Sequence, residues 1–365
     1  MPKGKTYDQI LFLTVLVLMG LGLIMVYSSS ALVAEGSHYQ VSSFYFLKKQ
    51  ALYAGLAVLI LLGAMAVPYE WWRKWIYAIL VASVVLLALV FFPSLGIKAG
   101  GAWRWLKLGG FRFQPAEFAK FALILYLAHF LTKKAEVIED VKAIFLPLCI
   151  VLGISLLLIV KQPDLGTSVL VMAVATAMIF AAGARKRHIL GLAIFFLTAL
   201  AGLVYLFPYR WQRVVIFMDP WKDPKGVGYQ TIQSLCALGT GGIFGLGLGR
   251  GIQKRGYLPE AHTDFIFSVI GEELGLIGSL AVLILFGVFI WRGFKISRQS
   301  EDPFACYLAL GVTCLIGFQA LINIGVSLGV LPTKGLPLPF VSFGGSSLIM
   351  NAMATGILLN ISQHT

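Results

Sequence analysis

Apolar residues fill the sequence in ten long runs: 10–32, 47–67, 74–93, 115–132, 143–160, 165–183, 188–207, 265–291, 304–330 and 343–361. A helix needs roughly 20 mostly apolar residues to cross the hydrocarbon core of a bilayer. The runs therefore predict an all-α, polytopic membrane helical bundle of about ten transmembrane helices, one domain spanning residues 1–365. The fourth run is the least regular, because Glu117 and Lys120 lie in its first turns. The first is too long for a signal-peptide core and is expected to stay as the first span. One connection stands apart: the loop 208–264 is far longer than the others, and loops of that length usually carry function.

Composition agrees. Of 365 residues, 59% are hydrophobic and 12% charged, whereas a soluble domain is about a quarter charged. Mean hydropathy is +0.87. The formal net charge of +13 suits anionic headgroups or an anionic substrate at the membrane surface. Nucleic acid is not an expected partner, because the basic residues lie in short loops between apolar runs. Of the four cysteines, Cys149, Cys306 and Cys314 fall inside apolar runs and Cys236 lacks a CxxC partner, so no disulfide or metal framework is visible.

An even span count puts both termini on one side. The raw count of Lys and Arg does not orient the chain, but tight clusters at span ends (Arg73-Lys74, Lys133-Lys134, Arg185-Lys186-Arg187) lie on the terminal side. Both termini are therefore expected in the cytoplasm. The glycine-rich loops 94–114 and 208–264 are then extracytoplasmic.

Three constellations carry candidate chemistry. The first is Arg104, Trp105 and Lys107, followed by Gln114-Pro115-Ala116-Glu117 and Lys120. Glu117 and Lys120 are three apart on one helix face. They either neutralise each other or line a charged, water-accessible cavity. Lys161-Gln162-Pro163-Asp164 marks another span junction, where Asp164 suits a helix cap. The second constellation is the long loop, with Arg210 and Arg213 near its start and His262-Thr263-Asp264 at its end. An ionisable residue at the mouth of a span is a functional candidate by default, with an N-terminal cap as the structural alternative. Neighbouring cations are expected to hold Asp264 ionised. Glu272 and Glu273 follow two turns later. Adjacent residues cannot share one helix face, so at least one is expected to find a buried ion pair or backbone hydrogen bonds. The stretch TGGIFGLGLGRG has no preceding β-strand pattern and sits between membrane spans, so it reads as short membrane-surface helices that pack closely or re-enter the interface rather than as a dinucleotide loop.

The third constellation is 331–347, where Pro332, Pro337 and Pro339 preclude a regular helix. Lys334 and the hydroxyls of Ser342, Ser346 and Ser347 line this rim. All three constellations fall at one end of the ten-span arrangement. Many cations around a few acids suit a diphosphate, and an apolar bundle suits a lipid tail.

The segments RWLKLGGFRFQPAEFAK, QPDLGTS, DPWKDPKGVGYQTIQSL, LPEAHTDFIFSVIGEELGLIG and LPTKGLPLPFVSFGGSS resemble the SEDS family (shape, elongation, division and sporulation) of bacterial membrane proteins. The resemblance covers nearly the whole chain. LPTKGLPLPF and DPWKDP look more like the cell-division (FtsW-type) branch than the elongation (RodA-type) branch. The resemblance implies a ten-span protein of the bacterial inner membrane. It implies polymerisation of lipid II by an inverting peptidoglycan glycosyltransferase, with undecaprenyl diphosphate as leaving group. The expected substrates are lipid II and an undecaprenyl-diphosphate-linked glycan. The expected partners are a class B penicillin-binding transpeptidase and other division proteins. The family's essential aspartate maps to Asp264, and its functional tryptophan, glutamate and lysine to Trp105, Glu117 and Lys120. Phe343 stands where the family motif more often has tyrosine. No cofactor is implied. A divalent cation, magnesium or manganese, is compatible with a diphosphate, but no ligand cluster in the sequence demands it. Two rival readings use the same features: a lipid II flippase and a non-catalytic division scaffold.

Overall fold

The computed structural model describes residues 6–36, 44–99, 101–109, 111–134 and 141–365. Helices α1 (Gln9–Gly36), α2 (Tyr45–Ala66), α3 (Tyr69–Lys74) and α4 (Ile76–Leu89) lead into strands β1 (Gly96–Ala99), β2 (Ala102–Leu108) and β3 (Phe111–Phe113). Helices α5 (Pro115–Lys133), α6 (Val141–Lys161), α7 (Leu165–Ala181) and α8 (Lys186–Tyr205) follow. The long loop holds α9 (Pro208–Met218) and α10 (Tyr229–Gly241). Helices α11 (Ile266–Gln299), α12 (Pro303–Ser327) and α13 (Gly345–Ser362) complete the bundle. The ten predicted spans each coincide with a long helix, α3, α9 and α10 being the additional short ones.

Four of these helices are long and apolar enough by themselves to cross a membrane: Gln9–Ser30 within α1, then α2, α11 and α12. Four shorter apolar helices fall at α4, α6, α7 and α8. Helices α5 and α13 carry polar residues because they run through the middle of the bundle, buried at nearly every position. Their neighbours, not lipid, surround them. The outer helices show the reverse. Tyr77, Val81 and Val85 on α4, and Leu190, Ile194 and Phe195 on α8, are exposed. An apolar surface of that extent belongs against hydrocarbon.

Two local features depart from the sequence reading. The glycine-rich loop 94–114 folds into a three-stranded antiparallel sheet in the order β1-β2-β3. The eighth span does not begin at 265. Helix α11 breaks at Gly275, with φ 68° and ψ −162°, so Ile266–Leu274 is a short arm and the long helix starts beyond it. The backbone groups freed by the break bond to the glycine loop instead. Leu246 N–H donates to Glu272 O and Gly247 N–H to Glu273 O, each at 3.0 Å. Leu276 N–H donates to Gly242 O at 2.9 Å. Broken helices within a membrane protein survive only when such partners exist. A Cβ on Gly275 would sit 2.4 Å from Gly245 N, so close approach and positive φ both require glycine here.

Candidate active site

Asp264 lies two residues ahead of α11. The helix is capped at Phe265, with no side-chain cap hydrogen bond. The cap alternative for Asp264 is therefore gone. Its main chain is fixed instead: Asn323 Nδ2 of α12 donates to Asp264 O at 2.8 Å and to Leu336 O at 2.7 Å. The preceding turn is held by Phe343 N–H on His262 O at 2.9 Å and Ser342 Oγ on Thr263 O at 2.6 Å. The proline-rich segment thus grips the backbone just before the carboxylate, α12 holds the carbonyl of Asp264 itself, and the side chain stays partly exposed. No described residue hydrogen-bonds that side chain.

Burial pushes the Asp264 carboxyl up to about 7; Glu260 and Asp164 nearby add to the rise, and Arg104 opposes it. This corrects the expectation that cations would hold it ionised. Desolvation disfavours the charged form, and one opposing guanidinium does not cancel it. A carboxyl poised near neutral pH suits proton abstraction.

Arg104 reaches this site through the sheet. Ile97 pairs with Trp105 and Lys98 with Trp103, leaving Arg104 as the extra residue of a β-bulge in β2. Bulges re-aim side chains. The guanidinium donates from Nε to Gln162 O at 3.0 Å and from a terminal nitrogen to Pro163 O at 2.7 Å. It thereby locks the sheet to the α6–α7 junction beside Asp164. Asp164 caps α7 as its position suggests: it accepts from Thr167 N–H at 3.0 Å and from Thr167 Oγ1 at 2.8 Å. Lys334 lies close enough to Asp164 for the charge to be felt, while burial lowers its pKa from the usual lysine value. Next to it, a Cβ on Gly335 would meet Asp264 Oδ2 at 2.9 Å.

Gly335→Ala should therefore crowd the carboxylate without straining the backbone. The activity of this site is expected to fall by roughly 10- to 100-fold with an unchanged melting temperature. Initial rates and thermal unfolding of the purified variant check this.

Other expected site residues stand behind the cleft. Glu117 and Lys120 are 2% and 1% exposed. They pair at 2.9 Å, and Lys120 Nζ also donates to Gln319 Oε1 at 2.8 Å. Gln319 Nε2 in turn donates to Pro337 O at 2.8 Å. The pair supports the proline-rich rim through Gln319, and its charges are consumed inside the bundle. The rim serines are also engaged internally. Ser342 bonds Thr263 O and Leu338 N–H. Ser346 accepts from Gln114 N–H at 3.1 Å and donates to Arg112 O of β3 at 3.4 Å, fastening the sheet to α13. Ser347 accepts from Asn351 Nδ2. All three are buried, so they are not the open hydroxyls expected of the rim.

His262 packs in an aromatic group with Phe46 and Phe343, ring centroids 5.0 and 5.7 Å away. Burial lowers its pKa, with Glu260 opposing. Phe343 takes its place here by packing, so a hydroxyl is not needed. Thr263 Oγ1 bonds Glu260 Oε2 at 2.8 Å. Trp105 is half-buried and Lys107 exposed on β2. Arg210 stacks over Phe207 at 4.5 Å, and Arg213 donates to Thr333 O at 3.2 Å. Glu260, Gly335 and Asn323 were not singled out from the sequence. The Thr-Lys-Gly of 333–335 was the one local signal for Gly335.

The glycine stretch has a different role from an anion loop for a ligand. Gly249 N–H donates to Glu273 Oε2 at 3.1 Å, and Ile252 and Gln253 N–H to Glu272 Oε1 at 2.7 and 3.0 Å. Lys254 pairs with Glu273 at 2.5 Å, and Ser28 donates to Glu273 at 2.6 Å. The loop thus wraps the protein's own carboxylates, as the burial expectation for Glu272 and Glu273 requires. Both face it because they sit at the end of the short arm, where the break at Gly275 follows. Among the described residues, no group of three His, Cys, Asp or Glu side chains is placed to hold a metal ion.

Comparison with known proteins follows this geometry. Residues 8–365 match the family described as "Cell cycle protein", comprising FtsW, RodA and SpoVE. The Probable peptidoglycan glycosyltransferase FtsW of Geobacter metallireducens is 46% identical over 360 residues, covering 99% of this chain and 96% of that protein. Stage V sporulation protein E of Bacillus subtilis is 43% identical, covering 100% of this chain and 99% of that protein. A chain of a complex solved as a peptidoglycan synthase that coordinates polymerization and crosslinking superposes with TM-score 0.81 at 31% identity, over 98% of each chain. RodA of Thermus thermophilus superposes with TM-score 0.71 at 27% identity, over 98% of this chain and 97% of that one. By a family match along nearly its full length, and by relatives this similar from end to end, the chain belongs to the SEDS family of FtsW, RodA and SpoVE cell cycle proteins, on the FtsW-type side.

Proposed function

We propose that this chain is a peptidoglycan glycosyltransferase that polymerises lipid II at the outer face of the bacterial inner membrane, for septal wall synthesis. The observation that carries the reading is Asp264: a desolvated carboxyl that caps no helix and is held by its backbone, with Arg104 near it and Lys334 near Asp164. A sugar hydroxyl of lipid II attacks the anomeric carbon of the lipid-linked glycan. Asp264 takes the hydroxyl proton as the new carbon–oxygen bond forms. The bond to the diphosphate breaks, and its electrons leave on undecaprenyl diphosphate. One base and one stabilised leaving group suffice for a single inversion. Arg104, Lys334, Arg210 and Arg213 are the cations proposed to face the diphosphate, with Trp105 and Lys107 at the sheet and His262 and Thr263 beside the base. Glu117, Lys120, Ser342, Ser346 and Ser347 hold this frame from behind. The direct test is formation of glycan polymer from lipid II by the purified chain in vesicles. Lipid II movement between leaflets without polymer would favour the flippase reading, and neither activity the scaffold.

The proton-transfer role carries a pH dependence. Asp264 acts as a base only when ionised, and its pKa stands near 7. Polymerisation should therefore rise with pH through about 7 and fall about tenfold per unit below it. Initial rates from pH 5 to 9 on one lipid II preparation would show this. A flat profile over pH 5 to 7 would remove Asp264 as the base.

The relative solved within a peptidoglycan synthase complex supports a cross-linking partner, which we assign to a class B penicillin-binding transpeptidase. We also propose that both termini lie in the cytoplasm. Asp8 N–H bonds Ser362 Oγ at 3.0 Å, and Arg292 at the far end of α11 pairs with Asp8, so Asp8 and Ser362 meet at the end of the bundle away from Asp264, which supports a common side for the two ends. A phosphatase active only outside the cytoplasm should be silent when fused after Thr365. An active fusion would invert the topology.

A further inference from the structure

Helix α9 has its amphipathicity turned outward. Trp211, Val214, Val215 and Met218 repeat at helical spacing and are 50%, 36%, 40% and 79% exposed. A helix on a soluble protein buries such a stripe. Here the opposite face turns inward, and from it Arg213 bonds Thr333 O, next to Lys334 and Gly335 of the cleft. The stripe does not stand alone. It continues from the exposed apolar face of α8 through Tyr205 and Leu206, both strongly exposed. Tyr205 and Trp211 pack edge to face at 6.2 Å, and Trp221 beyond them is also exposed.

We propose that α9 lies in the plane of the membrane interface, its Trp211–Met218 stripe seated at the acyl boundary, on the lipid side of the rim that Arg213 holds at Thr333. Three observations select lipid over a protein partner. The stripe is continuous with a spanning helix that already faces hydrocarbon. Tyrosine and tryptophan flank it, the residues that favour the headgroup level. Lys222 and Lys225 lie exposed just beyond it, suited to anionic headgroups. Resting on the glycosyltransferase reading, this seat has a consequence. The bilayer positions α9, and α9 through Arg213 positions the rim that carries Lys334, so the diphosphate of a lipid-tailed substrate meets the cations at headgroup depth.

The test uses the full chain with Cys149, Cys236, Cys306 and Cys314 replaced by alanine. A nitroxide is attached at Val215→Cys, at Met218→Cys, or at Glu301→Cys, exposed in the turn between α11 and α12, as the aqueous reference. Each variant is reconstituted into phosphatidylethanolamine–phosphatidylglycerol vesicles. Spin relaxation by oxygen, which concentrates in hydrocarbon, is compared with relaxation by a water-soluble nickel chelate. The oxygen-to-nickel ratio at 215 and 218 is expected to exceed that at 301 by about tenfold. Equal ratios would put the stripe in water and overturn the proposal. Labels shielded from both reagents only after a single-span transpeptidase is added would assign the stripe to a protein partner and overturn it too. Should one labelled variant fail to fold, the other gives the same reading. Polymer synthesis by the same vesicles is read separately, so loss of the glycosyltransferase reading and loss of the interfacial seat are distinguishable.

Discussion

Asp264→Asn is expected to lower the initial rate of lipid II polymerisation by about 10²–10⁴, the usual contribution of a general base. Asparagine keeps the shape and removes the proton acceptor. The variant should fold, because the side chain caps nothing and the local backbone is held by Asn323, Ser342 and Phe343. The pKa adds a second, opposite-signed outcome. In the folded chain the carboxyl titrates near 7 rather than at its ordinary 3.8. The folded state therefore binds the proton more tightly than the unfolded state. Stability associated with this group is lost as pH rises from about 4 through about 7. Above that range asparagine carries no desolvated charge, so the variant should melt no lower than the parent at pH 8, and higher if nothing else changes. Rates and melting temperatures of both proteins, each purified with its transpeptidase, measure this. A variant within about threefold of the parent rate would eliminate the base assignment.

Lys120→Met should destabilise the chain by about 3–5 kcal/mol, because it leaves the Glu117 carboxylate buried without its partner. The loss extends beyond the pair, since Lys120 also holds Gln319 and Gln319 holds Pro337 O. The expected readout is a lower melting temperature in detergent together with reduced polymer synthesis. The double variant Glu117→Leu with Lys120→Met removes both charges and should recover most of the stability, since apolar replacement of a buried pair is often neutral. Recovery of activity alongside it would confirm a supporting role. A Lys120→Met protein as stable as the parent but inactive would return Lys120 to the chemistry.

These two variants separate what local pattern can and cannot reveal. The spans were readable because each needs about 20 apolar residues in sequence, and no distant contact is required to see them. Asp164 was readable as a cap from its place before Leu165-Gly166-Thr167, and it accepts from Thr167 as that place requires. The Glu117–Lys120 pair was readable as a pair from its spacing of three. Its depth was not, because burial of α5 depends on the helices that surround it. Arg104 was legible as a cation near the site, but its aim depends on a bulge in a sheet whose register only β1 and β3 can set.

By itself, then, the sequence determined the membrane class, the number of long helices, the long loop and the position of Asp264 at its end. Each is a property of consecutive residues or of a motif read in order. The tertiary structure decided the rest. It put the break of α11 at Gly275, where the loop 242–247 supplies the missing hydrogen bonds. It folded the glycine stretch onto Glu272 and Glu273 rather than onto a ligand. It brought Gly335 against Asp264 across the whole of α11 and α12. It also raised the Asp264 pKa, because desolvation depends on every atom packed around a carboxylate, and sequence neighbours supply few of them.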